Sequence, residues 1–229
     1  MTKKSTSKQV PVTILTGFLG SGKTTLLNRI LSEPHGHRIA VIENEFGEAG
    51  IDSALLVNSE EQIVEMNNGC ICCTVRGDLV RILGELADRR DAGKVKFNRV
   101  IIETTGLADP APVAQTFFVD ERIGEYYLLD AIVTVVDAKQ EPAQLEAQHE
   151  AQEQVGFTDH ILLSKSDLVS GPEADALISR LRAMNPRAPV EKVNFRYHAA
   201  RQDPRRARLQ PQRHPENRAG LSFGCESRT

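Results

Sequence analysis

The sequence predicts an α/β fold in which a mostly parallel central sheet carries helices on both faces. Short, continuously apolar runs such as Ile132–Val136 recur along the chain, and such runs mark strands buried on both faces. Stretches with helical spacing, such as Leu79, Ile82, Leu83 and Leu86, separate them, and strands that alternate with helices build parallel sheets. A chain of 229 residues is long enough to bury one full α/β core.

The elements follow in order. Val12–Leu15 reads as the first strand and Thr24–Leu31 as the helix after it. Arg38–Glu43 is a short apolar strand, and Gln62–Met66 alternates in a way that suits a sheet edge. Asp78–Arg90 is helical by its apolar spacing. Val100–Ile102 is a buried strand, and Ala111–Val119 a helix opened by Pro110. Ile132–Val136 is a further strand. Glu141–Val155, rich in Glu and Gln, reads as a polar, exposed helix. His160–Leu163 is the next strand, and Pro172–Met184 a helix with Leu177, Ile178 and Leu181 on one face. From Asn194 the periodicity stops. The expected organisation is a disordered tail over 1–9, one folded domain over 10–193, and a basic, disordered segment over 194–229.

Charge is unevenly placed. Residues 192–229 hold nine Lys and Arg against three acids, which leaves 19 and 28 for residues 1–191. An acidic body argues against nucleic acid as a partner. Aromatic residues are sparse among the arginines of the basic end, limited to Phe195, Tyr197 and Phe223, where a stacking platform would require regular interleaving. No apolar run approaches membrane-spanning length, and the polar start Met1–Lys8 has no apolar stretch behind it. The expected location is the cytoplasm.

Between the first strand and first helix lies Gly17-Phe18-Leu19-Gly20-Ser21-Gly22-Lys23-Thr24. It fits G-x-x-x-x-G-K-[ST] in the strand–turn–helix setting that makes the pattern a phosphate-binding loop, so the fold is that of a P-loop NTPase. Gly17, Gly20 and Gly22 let the backbone aim consecutive N–H groups, including those of Ser21 and Thr25, at phosphate oxygens. The helix N-terminus adds a favourable field for the anion. Lys23, on an exposed loop, would reach the β- and γ-phosphates, and the Thr24 hydroxyl can ligate Mg²⁺.

Two further segments complete a nucleotide site. Ser164-Lys165-Ser166-Asp167 follows a buried strand where guanine-binding proteins carry Asn-Lys-x-Asp. Asp167 can accept from the N1–H and the exocyclic amine of guanine, a donor pair that adenine lacks. The Lys165 stem would lie against the base. Ser164 in place of Asn loses a side-chain amide. The competing reading is a helix-capping Ser/Asp turn. Glu103-Thr104-Thr105-Gly106 ends the strand Val100–Ile102. Glu103 is a candidate for holding Mg²⁺ and the Gly106 N–H for reading the γ-phosphate. Asp137 is the alternative acid on the metal side.

Asn67-Asn68-Gly69-Cys70-Ile71-Cys72-Cys73-Thr74 holds three of the four cysteines. A disulfide between the adjacent Cys72 and Cys73 is strained. Three thiolates this close suit a soft or borderline ion such as Zn²⁺. Glu43 and Glu48, in Glu43-Asn44-Glu45-Phe46-Gly47-Glu48, are the nearest carboxylate supply. The competing reading is three small buried apolar residues.

Taken together these motifs resemble the CobW-type metallochaperone GTPases, a branch of the P-loop GTPases. The resemblance runs from Pro11 to Val193, and its most specific part is Cys-x-Cys-Cys after Asn-Gly. It implies GTP hydrolysis coupled to binding or delivery of zinc, cobalt or a similar ion to a client metalloprotein, with a homodimer left open. It also implies a C-terminal α/β domain of roughly a hundred residues, and the sequence departs from that pattern after Val193. No arginine finger is evident, so intrinsic turnover is expected on the order of 10⁻² s⁻¹ or below. Residues Glu43–Ile51 would link the cysteine site to the nucleotide. Two other classes fit less of the pattern: a metal-sensing or metal-storing protein without catalysis, and an ATP-dependent P-loop enzyme.

Overall fold

A computed structural model describes residues 9–43, 63–65 and 75–194, with backbone alone for 63–65, 75 and 76. Every described residue lies in one compact unit. Of the ends expected to be disordered, 1–9 and 194–229, only Gln9 and Asn194 are described; residues 1–8 and 195–229 lie outside the described residues.

Among the described residues, seven parallel strands form one sheet in the order β3-β2-β4-β1-β5-β6-β7. They are β1 (Val10–Thr16), β2 (Ile39–Glu43), β3 (Ile63–Glu65), β4 (Arg99–Glu103), β5 (Tyr127–Asp137), β6 (His160–Ser164) and β7 (Val190–Lys192). The helices are α1 (Lys23–Ser32), α2 (Val75–Asp91), α3 (Pro110–Val119), α4 (Glu121–Tyr126), α5 (Glu141–Ala147), α6 (His149–Gly156) and α7 (Gly171–Met184).

Successive strand residues point to opposite faces, and both faces are covered. Val12, Ile14, Ala40, Ile42, Val100 and Ile102 pack under Leu79, Leu83 and Leu86 of α2 and Phe117 of α3. On the opposite face Leu15, Val41 and Ile101 meet Leu26 and Leu27 of α1. A third cluster joins Ile161 and Leu163 of β6 to Leu145, Val155 and Leu181 of the last three helices. All strand C-termini therefore share one edge. Chain progression reverses about β1, whose neighbours β4 and β5 lead to opposite ends of the sheet. In open α/β sheets that edge and that reversal mark the ligand crevice.

Several elements differ from expectation. Strand β5 starts five residues earlier than its apolar run, at Tyr127, and its pairing with β1 shifts register between Val12 and Thr13. The shift leaves Asp130 beside Arg99, bonded at 3.1 Å. The single exposed helix expected over Glu141–Val155 is two helices broken at Gln148, whose φ and ψ of −126° and 122° are extended. Nor is this stretch merely a polar surface, since Glu141, Leu145, Ala151, Gln154 and Val155 are buried. The short α4 and β7 carried no periodic signal and appear only in the structure.

Candidate functional site

The phosphate loop connects β1, the central strand, to α1. Gly17 has φ +139°, and a Cβ there would lie 2.2 Å from the Val135 carbonyl oxygen, so only glycine fits beside β5. Gly20 and Gly22 also have positive φ, with Gly22 capping α1 in the left-handed conformation. Helix α1 has no acidic residue in its first turn, so its positive end is left for an anion. Ser21 is buried, whereas Thr24 and Thr25 are exposed at the helix start.

Lys23 is not exposed, contrary to the sequence expectation. It is 8% accessible, and its Nζ donates to the carbonyls of Gly17 at 2.8 Å and Phe18 at 3.3 Å. Burial lowers the ammonium pKa and the Glu103 carboxylate opposes that shift. A desolvated cation wrapped in its own loop lies close to where phosphate oxygens would sit and gains strongly from their charge.

Glu103 ends β4 beside β1. Its Oε1 accepts from the Thr24 hydroxyl at 2.8 Å. The two candidate Mg²⁺ groups are therefore brought together by adjacent elements, and they offer the hard oxygen donors that this ion prefers. Glu43 occupies the neighbouring register position, with Glu43 paired to Glu103 on one side and to Glu65 on the other. Glutamate thus sits at matching positions on three adjacent strand ends. Strand β3 ends five residues ahead of Cys70 in sequence. Cys70, Cys72, Cys73 and Glu48, and the linking segment after Glu43, lie outside the described residues.

Asp137, the alternative metal-side acid, is bonded to the base-side segment. It is 1% accessible. Its Oδ1 accepts from the N–H groups of Lys139 and Gln140, and its Oδ2 from Lys165 Nζ at 2.6 Å. Lys165, with φ +55°, also donates to the Gly20 carbonyl at 2.7 Å. Ser164 replaces the tie that its missing amide suggested was lost. It is fully buried, and its hydroxyl lies 2.6 Å from the Ser21 carbonyl and 3.2 Å from that of Val136. Asp167 is exposed on a single 3-10 turn, Ser166–Leu168, so the segment bends where a helix cap was the competing reading.

Gly106 is pressed onto the phosphate loop, where a Cβ would meet Leu19 N at 2.6 Å. Thr104 anchors the same segment, its N–H to the Leu15 carbonyl and its hydroxyl to Thr16 Oγ1 at 2.9 Å. Sequence reasoning missed two buried residues at this edge, Gln154 and Glu141. Nothing in a Glu- and Gln-rich stretch singles them out, because their surroundings come from residues distant in sequence.

The described helices include none long and apolar enough to cross a membrane. Known proteins match in the same region. The family model described as the CobW/HypB/UreG nucleotide-binding domain matches residues 11–192. The zinc chaperone YjiA of Escherichia coli is 49% identical over 184 residues, covering 80% of this chain and 57% of that protein. The zinc-regulated GTPase metalloprotein activator 1 of Dictyostelium discoideum is 38% identical over 218 residues, covering 79% of this chain and 45% of that protein. The crystal structure of Zn(II)-bound YjiA GTPase matches with a TM-score of 0.66 at 40% identity, over 82% of this chain and 58% of that one. The chain spans about half the length of these relatives.

Proposed function

The chain belongs to the CobW/HypB/UreG nucleotide-binding family, and on that premise we propose that it binds and hydrolyses GTP with Mg²⁺ and couples nucleotide state to a zinc-type transition ion. The observation that carries the nucleotide half is the double tie of the base-side segment to the phosphate loop, Ser164 to Ser21 and Lys165 to Gly20. In this reading the glycine backbone, the lysine, the hydroxyl–carboxylate pair and the base-side aspartate would line one crevice at the strand ends.

The proposed chemistry follows from the residues. Loop N–H groups and Lys23 hold the phosphates and stabilise charge that builds on the γ-phosphoryl oxygens as it passes to water. Thr24 and Glu103 would hold Mg²⁺, which neutralises phosphate charge when bound. The Gly106 N–H would serve as γ-phosphate sensor. Asp167 selects guanine through two hydrogen bonds. The metal half rests on Cys70, Cys72 and Cys73, with Glu43 and Glu48 as further donors. It is supported by the zinc-related names of the relatives. Delivery to a client metalloprotein is the role proposed for the longer relatives' architecture.

Phosphate release under saturating GTP and ATP, by the full chain and its Asp167→Asn variant, tests the nucleotide half. Wild type turns over GTP, and the variant loses affinity for GTP far more than for ATP. Equal turnover of both nucleotides by wild type would place the chain with ATP-dependent enzymes. Zinc titration of nucleotide-free, GDP-bound and GTP-analogue-bound protein tests the coupling, since reciprocity requires different affinities if one equilibrium serves both sites. Metal binding without any phosphate release would favour a sensing or storage protein.

A further inference from the structure

We propose that Gln154 is the positioning residue that fixes the γ-phosphate-sensing loop, and that it sets how strongly the site prefers GTP over GDP. The inference rests on the GTPase reading above and adds a residue that reading does not use.

Gln154 lies in α6 and is 1% accessible. Its Nε2 donates to the Gly106 carbonyl at 3.2 Å and to the Ala108 carbonyl at 3.0 Å. Both partners are carbonyl oxygens, so only the amide NH₂ can face them. The backbone carbonyl of Gln154 in turn accepts from the Thr134 hydroxyl at 2.9 Å, in the middle of β5. The side chain is therefore a buried strut between the sheet and a loop 46 to 48 residues away in sequence.

That loop needs a strut. It is pinned at its start by Thr104, through Thr16 and Leu15. Gly106 follows, and glycine restrains its own peptide planes least of all residues. On one side Gly106 touches the Leu19 backbone so closely that no Cβ fits. On the other, the Gln154 amide holds two carbonyls two residues apart. Fixing both orients the Gly106–Leu107 and Ala108–Asp109 peptide planes, and through the shared Gly106 Cα it limits how the Gly106 N–H, the γ-phosphate sensor of the reading above, can turn. GDP lacks that phosphate and does not feel the loop. An unheld loop must be ordered by GTP at the moment of binding, so its loss reduces affinity for the triphosphate selectively.

The test uses the full chain, labelled GDP, a non-hydrolysable GTP analogue and phosphate release from GTP. Gln154→Met keeps the volume and removes the donor. GDP affinity should stay within about twofold of wild type, while GTP-analogue affinity and kcat each fall about tenfold, the effect of losing roughly one to two buried hydrogen bonds. Gln154→Glu gives a second readout should the Met variant fold poorly. As a carboxylate it repels both carbonyls, and as a neutral acid it can donate to one, so its defect relative to wild type should shrink as pH falls. Equal losses for GDP and GTP analogue, or wild-type behaviour in both variants, would overturn the role of Gln154. A wild type that releases no phosphate from GTP overturns the GTPase reading and this inference with it.

Discussion

The Ser164 hydroxyl donates to the Ser21 carbonyl across 2.6 Å, which makes the base-side segment and the phosphate loop one hydrogen-bonded unit. With Lys165 bonded to Gly20 and Asp137, a movement of the base-side segment is carried to the phosphate loop.

Ser164→Ala tests that unit. It leaves two buried carbonyls, of Ser21 and Val136, with one donor fewer, which costs about 1–3 kcal/mol of stability. Because the lost bond reaches the phosphate loop and not the base, affinities for guanine and adenine nucleotides fall by the same factor. Urea melts and competition against a labelled nucleotide measure both effects. A loss confined to guanine would show that Ser164 reads the base.

Thr24 and Glu103 should behave as a pair. Glu103→Gln keeps the shape of the side chain and removes its charge. The Mg²⁺ concentration for half-maximal GTP turnover should rise at least about tenfold. Thr24→Ala should act in the same direction, and the double variant should lose less than the sum of the two. Magnesium titrations of phosphate release give all three values, and an unchanged half-saturation point in Glu103→Gln would remove Glu103 from the metal site.

Glu141 gives the folded chain a pH dependence. Burial pushes its carboxyl from 4.5 up to about 8, with the Asp137 charge adding to the shift and Arg180 opposing it. Its Oε2 finds no hydrogen-bond partner among the described residues. Between those two pH values the unfolded chain has lost this proton and the folded chain keeps it, so the contribution to stability falls as pH rises through the window. Thermal melts of nucleotide-free wild type and Glu141→Gln should diverge with rising pH, the variant melting higher at about pH 8.5 and the gap closing towards about pH 5. A gap that does not vary with pH would mean that Glu141 is already ionised in the fold.

Much of this was legible in the residue pattern. The phosphate loop could be read because glycine is required where φ is positive or backbones touch, and Gly17 shows both. Strands β1, β2, β4 and β6 could be read because burial on both faces demands unbroken apolar runs. The first half of β5 could not, since Leu128 and Asp130 lie outside the core and a register shift interrupts the pairing. Lys23 was misjudged as exposed because its burial is against carbonyls of its own loop, which leave no trace in composition. Gln154 and Glu141 were hidden for a different reason. A polar residue in a polar stretch looks solvated until the fold sets Gly106 or Asp137 against it.

The position of β1 has a consequence for how the chain acquires its shape. The strand that carries the phosphate loop comes first in sequence, yet both strands that flank it, β4 and β5, begin only at residues 99 and 127. During synthesis this central strand leaves the ribosome well before either neighbour is made. The chain must hold an apolar segment unpaired until β4 has followed it, and such non-local pairing is slow and exposed to aggregation. The crevice beside β1 thus assembles only once β4 and β5 have followed, although its glycine signature precedes both.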